Sequence, residues 1–124
     1  MRARIACMIV ALSLLVLALT GCSTQEPVGS PDIRGIISAI TMAETGDGGT
    51  LLVMGEIEDN TTYDRAYISV DADVEITDMD GKRVAFRELS PRIEVEVWFM
   101  GPVAESYPVQ ATAMRIVVLG YDTP

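Results

Sequence analysis

Arg92-Ile93-Glu94-Val95-Glu96-Val97-Trp98-Phe99 is the stretch that decides the fold class. Ile93, Val95, Val97 and Phe99 alternate with Arg92, Glu94, Glu96 and Trp98. Successive side chains of a strand leave opposite faces, so this period of two gives one apolar and one polar face. A helix would scatter the four apolar residues around its axis. The stretch therefore predicts a half-buried strand, with Trp98 on the side of the glutamates.

Outward from it, the chain is punctuated as short strands and turns. Arg34 to Met42 predicts a first strand, Thr45-Gly46-Asp47-Gly48-Gly49 a turn, and Thr50 to Ile57 a second strand. Glu58 to Thr62 breaks the chain. Ala66 to Val70 and Val74 to Thr77 read as a third strand interrupted near Asp71, followed by a hairpin-like turn at Asp78-Met79-Asp80-Gly81. Phe86 to Ser90 predicts one helical turn, stopped by Pro91. Thr112 to Leu119 is the last strand, with Met114, Ile116 and Val118 expected to face inward and Arg115 outward.

Five strands with a helical turn between the third and fourth are the element order of an OB-like barrel. The expected fold is thus all-β, a small five-stranded OB-like barrel, closed or partly open. Closure removes the aggregation-prone edges that a lone sheet of this size would expose. An open β-sandwich or meander is the alternative topology.

The N-terminus carries an address. Arg2 and Arg4 form a positive region, Ile5 to Leu19 an uncharged run of 15 residues, and Leu19-Thr20-Gly21-Cys22 looks like a lipobox. The run is shorter than the roughly 20 residues a spanning helix needs. Residues 1–21 are therefore expected to be a cleaved lipoprotein signal peptide, with Cys22 lipidated. Two or three acyl chains, at about 0.8 kcal/mol per buried methylene, would hold the chain on the membrane almost permanently. Residues 22–32 include Pro27, Gly29 and Pro31 and read as a flexible tether of about 17 Å root-mean-square span. Residues 33–124 form a single domain.

Cys7 leaves with the signal and Cys22 is blocked by its thioether, so the mature chain has no thiol left for a disulfide. Loss of Arg2 and Arg4 leaves seven basic residues against 18 acidic ones, a formal charge of −11. That balance argues against nucleic acid, which demands a basic footprint. It also predicts repulsion of the domain from anionic headgroups.

Candidate chemistry concentrates in the loop from Met100 to Gln110, where Glu105, Ser106, Tyr107 and Gln110 offer acceptors, donors and an aromatic face beside Pro102 and Pro108. In an OB-like barrel this loop borders the ligand groove. A sugar, peptide or small polar ligand would fit those groups. Alternatively, Glu105 and Ser106 satisfy backbone amides in a tight turn, Tyr107 plugs the barrel end and Pro108 supplies its fixed, even cis, geometry. Trp98 either offers a stacking platform on the polar face or packs beneath the loop on Tyr107.

Asp71 and Asp73, then Asp78 and Asp80 before Gly81, suggest calcium loops, but the full Asp-x-Asp-x-Asp-Gly spacing with its distant glutamate is missing. Turn chemistry accounts for them, and no metal is assigned. The chain has no histidine, which removes His-based triads and His-ligated zinc. Lys82 is the single lysine, placed in a turn where it is a poor partner for a Ser-Lys dyad.

Tyr67-Ile68-Ser69-Val70, Asp80-Gly81-Lys82, Glu94-Val95-Glu96-Val97-Trp98-Phe99, Gly101-Pro102-Val103 and Glu105-Ser106-Tyr107-Pro108-Val109-Gln110-Ala111 together resemble the YobA-like family of small secreted proteins and lipoproteins of unknown function, domain-of-unknown-function family 3221. The resemblance covers nearly the whole mature domain. It implies a compact β-barrel-like domain outside the cytoplasm and brings no catalytic residues. One departure is Arg92, where similar sequences tend to have glycine, the residue that tolerates a positive φ before the strand.

The resulting expectation is a membrane-anchored extracytoplasmic lipoprotein, a non-catalytic binding or envelope-support module without a cofactor. Its partners would be the membrane, through the N-terminal lipid, and an envelope protein or small polar ligand at Trp98, Glu105, Ser106, Tyr107 and Gln110. The alternatives are a small hydrolase using Glu105 or Ser106 and a calcium-dependent adhesion module built on the acidic turns.

Overall fold

A computed structural model describes residues 29–121 of the protein. The signal segment, Cys22 and the first part of the expected tether lie outside the described residues. Six strands follow one another as β1 (Ile33–Met42), β2 (Gly49–Met54), β3 (Arg65–Val70), β4 (Glu75–Asp78), β5 (Ile93–Ala104) and β6 (Val109–Tyr121), with a 3-10 turn at Phe86–Glu88 between β4 and β5.

The alternation in β5 works as its sequence implies: Ile93, Val95 and Val97 are buried and Glu94 and Glu96 are not. β1 pairs antiparallel with β2 and β5, β2 with β3, and β5 with β6. The ring closes through a parallel pairing, Ala66↔Val109 to Ser69↔Thr112, between β3 and β6. The result is the closed five-stranded OB-like barrel β1-β2-β3-β6-β5, with β4 as an additional strand. Inside it, Ile33, Ile37, Leu51, Val53, Ile68, Val95, Val97 and Ile116 are fully buried. Each such side chain contributes roughly 1.5–3 kcal/mol, the principal stabilisation of a domain with no disulfide.

Phe86 and Leu89 add the floor of this core from the 3-10 turn, where the Glu88 carboxylate accepts the Ala85 amide at 2.8 Å. At the seam of β1 and β2 the backbones come close: a Cβ on Gly35 would run into the Met54 carbonyl, and one on Gly55 into the Arg34 carbonyl. Both positions need glycine for approach, not for φ.

Four expectations change. The interrupted third strand is two strands with different partners. Val74 N–H donates to the Asp71 carbonyl at 3.1 Å, and the turn so formed takes the chain off the β2 edge and lays β4 parallel to the second half of β6, Glu75↔Arg115 to Asp78↔Val118. The second strand ends at Met54, since Gly55 N–H turns to the Asp64 carbonyl at 2.8 Å, and Ile57 is left exposed. Met114 faces solvent because β6 carries a bulge there: Trp98 pairs with Arg115 but Phe99 with Ala113, so the extra residue reverses the inward parity. Finally, β5 runs on to Ala104 and β6 starts at Val109, so most of the expected Met100–Gln110 loop is hairpin arm.

Arg92 stands at φ 78° with its amide bonded to the Ile37 carbonyl at 2.9 Å. The left-handed turn that glycine would ease is therefore made by arginine.

Candidate functional site

The residues singled out in the sequence separate into two places. Trp98 is one of them, and it is only 8% exposed. Its indole Nε1 donates to the Gly29 carbonyl at 3.1 Å, and the Arg115 guanidinium lies over its ring at 5.3 Å. Asp32 completes the cover: its amide donates to the Val97 carbonyl at 3.0 Å, and its carboxylate accepts the Phe99 amide at 2.8 Å. Pro31, between them, is buried. Trp98 is thus a packing residue under the segment Gly29–Asp32, neither an open platform nor a partner of Tyr107.

Glu105, Ser106 and Tyr107 form the tip of the β5–β6 hairpin. Ser106 donates its hydroxyl to the Pro108 carbonyl at 2.7 Å across a cis Tyr107–Pro108 peptide. Its hydroxyl proton is committed to its own turn through a carbonyl, not through the backbone amides that the turn reading expects. Glu105 is exposed. Tyr107 is 67% exposed and does not plug the barrel end. Its hydroxyl reaches the Asp64 carboxylate at 3.2 Å and its ring lies under the Arg65 guanidinium at 5.5 Å.

Gln110 belongs with a residue that the sequence did not single out as a site. It sits directly across from Tyr67, which is 44% exposed and in turn faces Leu52 across β2 and β3. The structure thus joins Tyr107 and Gln110 to Leu52, Arg65 and Tyr67 on the outer face of β2, β3 and β6. Ala66, Ile68 and Val70 alternate with Tyr67 and Ser69, so Tyr67 was legible as outward-facing. Its neighbour Gln110 was not, because the parallel β3–β6 pairing is non-local.

This face has the chemistry of recognition: two partly exposed phenol rings, a side-chain amide that both donates and accepts, and Arg65 beside Asp64. At one end it is bordered by the hairpin tip and at the other by the turn Ala43–Gly48. A separate groove of about 220 Å³ lies beside that turn, and its lining includes Asp47, Asp71, Arg83 and Arg87. The Arg87–Asp47 pair there, at 3.6 Å and largely solvated, contributes little.

Behind the tip, Arg34 fastens the loop between β2 and β3. Its guanidinium bonds Glu96 at 2.8 Å, Glu58 at 2.5 Å and Asn60 at 3.2 Å. The hydrogen bond to Glu96 is the main reason its pKa is raised, opposed by partial burial and assisted by the charges of Glu96 and Glu58. In one acidic turn the Asp78 carboxylate accepts the amides of Asp80 and Lys82, both at 2.9 Å. Among the described residues no group of three or more Asp, Glu, Cys or His is placed to hold a metal ion, and no helix is long and apolar enough to cross a membrane.

Comparison with family models, with curated proteins and with solved structures finds no match to this chain.

Proposed function

We propose that this chain is a lipid-anchored, extracytoplasmic binding module without catalysis, a member of the YobA-like family. Its ligand would be taken on the face formed by Leu52, Arg65, Tyr67, Tyr107 and Gln110. The observation that carries this reading is the exposure of Tyr67 and Tyr107, 44% and 67%, together on one face of a barrel that covers Trp98, whereas exposed Tyr121 stands at the other end of β6. Aromatic rings left in water beside hydrogen-bonding side chains suit a sugar ring or a peptide, whose apolar faces and polar rims they match. The acidity of the domain favours a neutral or cationic ligand over an anionic one.

Two measurements test it. Metabolic labelling with palmitate is expected to mark the wild type and not Cys22→Ala; equal labelling removes the anchor. Pull-down from detergent-solubilised envelope is expected to retain a partner on the wild type and lose it on the double variant Tyr67→Ala/Tyr107→Ala. Identical retention by the two would move the binding face elsewhere.

A further inference from the structure

The register around the barrel sorts its outward side chains into levels, because residues paired across a sheet leave the same face. Ala39, Leu52, Tyr67, Gln110 and Ala104 form one level across β1, β2, β3, β6 and β5. The next level, toward the turn Ala43–Gly48, is Thr41, Thr50, Ser69, Thr112 and Met100. Four hydroxyl side chains in register on neighbouring strands, which lie about 4.8 Å apart, make a polar strip roughly 14 Å long. Neither level holds a charged residue, in a chain with 18 acidic and nine basic ones. Arg65 stands at one end of this neutral surface and Asp71 at the other.

The hydroxyl strip runs into a concavity. Thr41, Thr50 and Ser69 line a groove of about 450 Å³ beside the turn Ala43–Gly48, together with Met42, Asp47 and Asp71. Thr41, Ser69 and Asp71 are exposed there, and Thr50 is half-buried. The groove therefore continues the Tyr67 face, from an aromatic and amide level through hydroxyls to carboxylates.

This order of groups selects among ligands. A peptide recognised by strand addition needs a free backbone edge. β2 is paired with both β1 and β3, and β3 with both β2 and β6, so the middle of the face offers none. A polyanion needs a basic footprint, and the carboxylates of Asp47 and Asp71 at the groove repel it. A sugar meets each level in turn. Its apolar ring face suits Tyr67 and Leu52. Its hydroxyls both donate and accept, as those of threonine and serine do, and a carboxylate can accept from two of them.

We infer that the ligand of this face is an uncharged glycan chain. One ring lies on Tyr67 and Leu52 with Gln110 at its rim, and the hydroxyls of the following units meet Thr41, Thr50, Ser69 and, in the groove, Asp71. The inference rests on the proposed binding face and narrows its ligand from a sugar or a peptide to a sugar. Tyr67 then supplies contact area, while the hydroxyl strip discriminates, since a site built to bond hydroxyls is left unpaired by an analogue that lacks them.

The test applies the full chain, in a detergent without a sugar headgroup, to a printed panel of neutral glucan, mannan, galactan and N-acetylglucosamine oligomers, with uronic-acid oligomers as the charged controls. Retention on neutral members and not on the controls is expected. Thr50→Val/Ser69→Ala removes two hydroxyls while keeping the strands' shape, and is expected to weaken retention about ten-fold with the melting temperature little changed. Tyr67→Ala is expected to weaken it as well. Glycan retention that both variants leave intact overturns the site, and retention of none of the neutral oligomers overturns the ligand class. The envelope pull-down separates that failure from failure of the face. A partner lost on Tyr67→Ala/Tyr107→Ala but destroyed by protease and not by periodate keeps the face and overturns the glycan, whereas a partner held equally by the double variant overturns both.

Discussion

Trp98 and Tyr107 stand nine residues apart on one hairpin, and both were candidates for the same ligand site. One is covered and the other is not. Trp98 faces outward from the barrel, yet the segment Gly29–Asp32 crosses over it and Arg115 closes the remaining side. Tyr107 keeps two thirds of its surface in water. Strand parity tells which side of a sheet a ring leaves from. Whether another segment lies on that side is a long-range matter, which parity does not encode.

The largest effect expected from this contrast is at Trp98. Replacing it by alanine leaves the Gly29 carbonyl without its donor, uncovers Pro31 and opens a void beside Arg115. A buried Trp→Ala change costs about 3–5 kcal/mol, and the lower end applies because the cover is a single segment. Urea unfolding is expected to show a large fall in midpoint with little change in slope. A shift no greater than that of an ordinary surface variant would mean that the segment is not packed on Trp98.

Next comes Arg34→Ala, expected to cost about 1–2 kcal/mol, since the lost hydrogen bonds are charge-assisted but partly solvated. Its raised pKa means that the stabilisation is fully present below the ordinary arginine value and is lost only as the pH rises through the higher folded value. Arg34 itself therefore adds no pH dependence between pH 5 and 9, a range in which it stays charged. Salt should weaken the effect. A variant as salt-sensitive as the wild type would show that the Glu58 and Glu96 contacts contribute little.

How far the fold was legible follows from the range of the signals. The alternation of Ile93, Val95 and Val97, the glycine-rich turn before β2 and the Asp78–Gly81 turn are written within a few residues, and all appear where they were read. What was lost is non-local or off-period. The bulge at Met114 inserts one residue and inverts the facing of the residues before it, and nothing in Thr112-Ala113-Met114-Arg115 announces it. The division between β3 and β4 depends on which edge of β6 each meets. At the candidate site, Tyr107 and Gln110 were found through their chemistry. Tyr67 was missed as their neighbour because forty-three residues separate it from Gln110.

A smaller effect of opposite sign is expected before β5. Arg92 holds a φ of 78° that costs a side chain bearing a Cβ about 1–2 kcal/mol. Arg92→Gly relieves that cost and adds flexibility to the unfolded chain worth about 0.4–1 kcal/mol, so a net gain near 0.5 kcal/mol is expected. A small rise in melting temperature checks it. Loss of stability would show that the arginine side chain contributes contacts exceeding the strain.

The smallest change in stability is expected on the open side. Tyr107→Ala removes a hydroxyl bond to Asp64 at 3.2 Å and an Arg65 contact at 5.5 Å, both in water, where each contributes a few tenths of a kcal/mol to about 1 kcal/mol. Tyr67→Ala removes a ring that is nearly half exposed. Each is expected to stay within about 1 kcal/mol of the wild type, several-fold less than Trp98→Ala. The comparison is decisive because the three substitutions remove similar amounts of aromatic surface from one small barrel. Should Tyr107→Ala unfold as readily as Trp98→Ala, the tip is a packing element after all, and the exposed face loses the ring that borders it. If the tyrosine variants remain folded but lose their partner, the same two residues have been kept in water for what they bind.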